Sequence, residues 1–214
     1  MPNGCDAAAT ARLRAAAREQ RMQVELMPAR PTDRAEALAS GRISLALEPV
    51  EPDRARWSIL LGIAGAASSA TEGDFFLAEL RPRRGNDTVR RIWLQPEDDV
   101  PPVRDRIERA RNGAGLIPSQ MRVADSVITA MSEALGDDLV LCSPREAHEF
   151  GLHWRALGDL HLRRGYALAA RDAHLGEQFV AAVGPFLAEL LGMGAPEVDR
   201  HAVDDGTLVG DHAG

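Results

Sequence analysis

The spacing of apolar residues changes period several times along this chain, and each change marks an element. Met22–Met27 (MQVELM) alternates apolar with polar and predicts a strand. Pro28 and Pro31 stop it, and Asp33 with Glu36 three residues on predicts a capping box opening a helix. Ala35, Leu38 and Ala39 share one face of that helix, Gly41 stands at its C-terminal end, and Ile43, Leu45 and Leu47 return to period two. Strand, helix and strand of this length predict a right-handed βαβ unit with parallel strands. The expected class is therefore α/β, built on an open sheet.

The same reading extends along the chain. Residues 7–20 are rich in Ala and Arg and predict a helix with Thr10 or Asp6 as cap. The stretch WSILLGI (Trp57–Ile63) reads either as a strand or as part of a helix from Pro52. Apolar segments Asp74–Leu80 and Thr88–Leu94 flank RPRRGND, where Gly85-Asn86-Asp87 supplies turn chemistry. QPEDDVPP is a change of composition that reads as a hinge. Beyond it, Val103, Ile107 and Ala110 predict a helix, and Met121–Val123 a short strand. A helix capped at Asp125 or Ser126 and stopped by Gly136 follows, then a strand at Leu139–Cys142. Ser143–Glu146 (SPRE) is a capping box with proline at the first helical position. Two short strands, Leu152–Leu157 and Gly165–Arg171, precede a last helix whose stripe is Phe179, Val180, Val183, Phe186, Leu187, Leu190 and Leu191. Gly184-Pro185 is expected to kink or break it. Residues 193–214 read as a disordered tail. The strand–helix pattern thus occurs twice, which two α/β lobes explain economically.

Composition narrows the classes. The chain has 214 residues, a net charge of −7 and a pI of about 5.4. An acidic chain whose basic residues are dispersed is a poor match for phosphate neutralisation, so direct DNA contact is not expected from it. Arginines between Arg81 and Arg91 form the one basic cluster, which is more often a solvated loop face than a binding site. No apolar run reaches the roughly 18 residues of a membrane span, and the N-terminus lacks a secretory pattern, so a cytoplasmic location is expected. Cys5 and Cys142 fit a reducing compartment.

Motifs that carry chemistry are sparse. His148 and His153 approximate a zinc-binding HExxH, but a five-residue step turns the pair about 140° apart on a helix, so no metal is expected. Trp154, Leu157, Gly158, Gly165, Ala170 and His174 fit several positions of a helical repeat, with no second copy at the required period. Nucleophile elbows, phosphate-binding loops and dinucleotide fingerprints are missing, so no enzymatic reading or cofactor is warranted. What remains is the placement of helix starts. In an open α/β sheet, ligands sit beyond the carboxyl ends of strands, against unpaired N–H groups of helix N-termini. Thr10, Thr32, Ser126 and Ser143 lie at such junctions, two in each expected lobe. Each alone reads as a simple cap; together they would suit a small carboxylate or other polar metabolite.

The run AEALASGRISLALEP resembles the segment of LysR-type transcriptional regulators in which a glycine-ended helix leads into a strand, with Ser44 where an acidic residue is common. VRRIWLQPEDDVPPVRDRI, VADSVITAMSEALGDDLVLCSPREAHEFGL and GYALAARD are similar to later parts of the same effector-binding domain. The resemblance runs from about Thr10 to Gly192. It implies a type 2 periplasmic-binding-protein-like fold of two lobes joined by two crossovers, with lobe one at 1–95 plus 170–192 and lobe two at 96–169. It implies a small-molecule effector in the cleft, a homodimer, and pocket positions at Thr10, Pro31, Thr32, Ser126, Cys142 and Ser143. The family's winged helix-turn-helix does not match any part of this sequence. A stand-alone cytosolic small-molecule-binding protein and a helical protein-interaction adaptor remain as alternatives.

Overall fold

A computed structural model describes residues 1–66, 72–81 and 89–193. Six helices and seven strands alternate through them: α1 (Ala7–Glu19), α2 (Pro31–Ala39), β1 (Leu45–Val50), β2 (Trp57–Gly65), β3 (Ile92–Leu94), α3 (Pro101–Gly113), β4 (Met121–Val123), α4 (Val127–Leu135), β5 (Leu139–Cys142), α5 (Pro144–Glu149), β6 (His153–Ala156), β7 (Leu162–Ala170) and α6 (Ala173–Leu190). The strands form one path, β1-β7-β2-β5-β3-β4, with β6 also paired to β2.

The long strand β2 joins the two parts of this sheet. Its first residues, Trp57–Leu61, pair antiparallel with β7, whereas Gly62–Ala64 pair with β5 and Gly62–Gly65 with β6. Gly62 marks the change of partner. A Cβ there would strike the Trp154 ring and the Arg155 carbonyl, so only glycine lets β6 approach so closely. Each part has its own core. Leu13, Leu47, Trp57, Tyr166, Val183 and Leu187 belong to one apolar cluster, which α1 and α6 share with β1 and β7. Leu61, Leu77, Ile92, Leu94, Ile107 and Leu141 belong to a second, and Met131, Val140 and Ala147 to a third that packs α4 and α5 on β5. The expected first lobe ran to residue 95, but Phe75, Leu77, Leu80, Ile92 and Leu94 all sit in the cluster with Leu139 and Leu141.

Several local expectations change in three dimensions. Met22–Met27 keeps its alternation, with Met22, Val24 and Leu26 half-buried on the first core, yet it forms no strand. A strand needs a neighbour's N–H and C=O groups, and the backbone bonds of this segment among the described residues lie at its two ends: Met22 N donates to Ala17 O, the Met1 amino group to Met27 O, and Ala29 N to Met1 O. The predicted parallel unit is therefore not a ladder. β1 pairs antiparallel with β7, and the parallel pairs are β3 with β4 and β3 with β5. α2 starts at Pro31 without a side-chain cap, leaving Asp33 inside its first turn rather than at its cap. α6 runs unbroken through Pro185, which lies on the exposed face, so the Ala181 carbonyl that loses its partner is on the water side. Residues 153–156 and 162–170 are strands, so the helical adaptor is excluded. The expected turn at Gly85-Asn86-Asp87 and the tail beyond Met193 lie outside the described residues.

Candidate functional site

On β7, alternation turns residues 162, 164 and 166 inward, and two of these three carry polar groups: Arg164 and Tyr166 are 5% and 1% exposed. An arginine at an inward strand position must find an anion, because an unpaired buried charge is costly by several kcal/mol. The anion comes from the loop after β3. Asp98 N–H donates to Gln95 O at 2.9 Å, a turn that sends the Asp98 carboxylate under the sheet. There it accepts two bonds from Arg164, Nε to Oδ1 and Nη2 to Oδ2, both 2.7 Å. Burial lifts the Asp98 carboxyl to about 6, with the Arg164 charge pulling against it.

Arg164 Nη1 also donates to Glu146 Oε1 at 3.0 Å. Glu146 is the third residue of the α5 capping box: its Oε2 accepts from Ser143 N at 2.7 Å, and its own N–H donates to Ser143 Oγ at 3.2 Å. Burial pushes the Glu146 carboxyl up, but the Arg164 charge and the bonds from Ser143 and Arg164 outweigh it, holding the group below its ordinary value. The second half of the cluster repeats the chemistry. Arg34 donates to both Glu97 oxygens, at 2.6 and 3.0 Å, and to the carbonyls of Ala29 and Leu47. Tyr166 Oη donates to Glu97 Oε1 at 2.9 Å, and burial followed by the Glu97 charge raises the phenol far above its usual range. Two guanidiniums thus face three carboxylates, and no buried side-chain N or O among the described residues lacks a partner.

These groups border a cavity of about 40 Å³ whose walls include Cys5, Glu97, Ser143, Glu146, Arg164 and Tyr166. That is room for one or two waters or a carboxylate head, not for a whole metabolite. Burial drives the Cys5 thiol up to about 11, so it is no nucleophile at neutral pH. A larger concavity, about 760 Å³, lies between α1 and residues 22–26, but its Arg14, Arg18 and Glu25 are all exposed and no helix starts there.

Of the residues singled out from the sequence, Ser143 lines the cavity and Cys142 lies behind it, buried in β5 with its carbonyl accepting from Trp154 Nε1. Thr10 is within α1, its hydroxyl donating to Asp6 O, and Asp6 is the cap. Pro31 is buried at the first position of α2, Thr32 is exposed beside it, and Ser126 caps α4 by accepting from Thr129 N. None of these four lines the cavity. The helix starts nevertheless meet in pairs. Arg30 before α2 donates to Asp125 O before α4 at 2.8 Å, and Asp6 before α1 lies 3.3 Å from Arg145 of α5. Gly4 lies against Val127 at the start of α4.

Comparison with known proteins places this arrangement. No protein-family profile matches the chain. It is 40% identical over 212 residues to the HTH-type transcriptional regulator BlaA of Streptomyces cacaoi, a match covering 98% of this chain and 64% of that protein. Solved structures give the fold: an OxyR variant of Corynebacterium glutamicum (TM-score 0.63, 17% identity, 86% of this chain, 62% of that one) and CbnR, a LysR family transcriptional regulator (0.58, 18%, 82%, 64%). The chain is similar to LysR-type regulators over the part that matches, and it has the fold of their effector-binding domains. An ancestral arginine-binding protein bound to glutamine also shares this fold (0.54, 15%, 86%, 82%), as a type 2 periplasmic-binding-protein-like architecture requires. The chain spans a little under two thirds of the length of these regulators. Its relatives are transcriptional regulators rather than enzymes. No helix among its described residues is long and apolar enough to cross a membrane, and no group of three His, Cys, Asp or Glu there could hold a metal.

The site residues that sequence reading passed over are Arg34, Glu97, Asp98, Arg164 and Tyr166, and Glu146 was read only as part of the α5 capping box. One signal was present: LRRGYALAA puts a charge at the same strand parity as Leu162 and Tyr166, which demands a buried counter-ion.

Proposed function

We propose that this chain is the ligand-sensing part of a cytoplasmic transcriptional regulator, binding a small carboxylate-bearing metabolite between two halves and passing the change on through a homodimer. The halves in this reading are residues 1–61 with 162–192, and 62–161, joined where β2 changes partner and again between β6 and β7. The observation that carries it is the ion-paired cavity at that junction, where Arg164 is bound on one side by β7 of the first half and faces Asp98 and Glu146 of the second. Kinship with an HTH-type regulator supports a role in which DNA is contacted by a segment outside this chain.

Thermal-shift screening of aromatic and aliphatic carboxylates tests the reading. A ligand present at 100 times its Kd stabilises the native state by about 2.7 kcal/mol, a shift of several degrees for a chain of this size. No shift from any carboxylate, alongside a clear shift from a cationic or uncharged metabolite, would reassign the ligand class.

A further inference from the structure

We propose that Glu146 is a built-in substitute for the ligand: its carboxylate occupies, on Arg164, the place that an effector carboxylate takes when it binds. The proposal rests on the carboxylate-sensing reading above. It is carried by an inequality between the two acids that Arg164 holds. Asp98 makes a two-point clamp and its side chain is 0% exposed. Glu146 makes a single bond from Arg164 Nη1, and its side chain is 22% exposed on the cavity wall. Asp98 alone neutralises Arg164, so Glu146 is the surplus acid of the cluster and the one with a route to water.

Exchange at Nη1 balances in charge. An ionised ligand carboxylate accepts the bond from Nη1, Glu146 swings out still ionised, and no proton moves. What changes is connectivity, because the Glu146–Arg164 bond ties α5 to β7 across the junction. Its loss also frees the Ser143 N–H, which the other Glu146 oxygen holds at 2.7 Å. A tethered competitor acts at millimolar or higher effective concentration, so a bare carboxylate is rejected while a ligand with further contacts prevails. Glu146 therefore sets both the threshold for binding and the mechanical consequence of it.

Calorimetric titration of the whole chain and its Glu146→Gln variant with acetate, benzoate and succinate tests this. The amide keeps the acceptor toward Arg164 but not the charge, and the best of the three carboxylates should bind the variant about tenfold more tightly or better. Equal or weaker binding by the variant overturns the proposal while leaving the carboxylate reading intact; absence of binding to both proteins removes the carboxylate reading itself. A second measurement needs no variant: under saturating carboxylate, hydrogen exchange at the Ser143 amide of the unaltered chain should accelerate. An amide that stays as protected, or becomes more so, overturns the proposal independently.

Discussion

Where α1 and α6 close on β1 and β7, the contacts are Leu13, Leu47, Val183 and Leu187, side chains that attract without direction and tolerate small shifts. Immediately beside that cluster, the contacts are Arg164 with Asp98 and Arg34 with Glu97, each fixed in distance and angle. The first kind of contact makes a body, because buried apolar area adds about 25 cal/mol per Å² whatever the detailed geometry. The second kind makes a joint. A charged pair out of water is close to neutral overall as long as both partners are present, and strongly unfavourable when one is missing. A surface built that way can hold one arrangement and exchange it for another when a ligand brings its own charge.

The contrast can be broken most severely at Arg164. Arg164→Met keeps apolar bulk and strands Asp98 in the interior, and should cost about 3–5 kcal/mol in urea unfolding. If the loss is under 1 kcal/mol, water reaches the junction and the pair is not a buried one. A core counterpart sharpens the comparison: Leu141→Ala, at a position 0% exposed, should cost about 2–5 kcal/mol by cavity formation, independently of pH and salt. Equal pH dependence for both variants would erase the distinction between body and joint.

The smallest effect concerns acid. Asp98 ionises at about 6 in the folded chain against an ordinary 3.8, so in this window the folded state binds the proton more strongly than the unfolded one. Its contribution favours the fold below the ordinary value and fades as pH rises through about 6. Glu146, held low, works the other way and loses its contribution only as pH falls below its ordinary 4.5. Between pH 4.5 and 6, Asp98→Asn should therefore remove a decline of unfolding free energy with rising pH that the unaltered chain shows. An unchanged slope in the variant would mean that Asp98 is fully ionised throughout.

How much of this could be read from the letters depended on range. α4 with Ser126 as cap, β5, and α5 with the Ser143–Glu146 box appear where the sequence put them, since a cap, a stop and an apolar stripe act within one or two turns. Glu146 was even recognised, but as a cap and nothing more; that its other oxygen reaches Arg164, 18 residues on, is a fact of how β7 returns beneath α5. Met22–Met27 shows the opposite limit, because alternation declares which side faces the core but cannot supply the neighbouring strand that a ladder requires.

By itself, then, the sequence determined the α/β class, most helix and strand positions, the resemblance and the acidic net charge, all properties of short windows or of composition. Tertiary structure alone decided where the sheet changes partner, which arginines are buried, and which carboxylates they hold. The physical reason is that a buried charge is stable only beside a counter-charge within about 3 Å, and that proximity comes from chain segments tens of residues apart meeting in space.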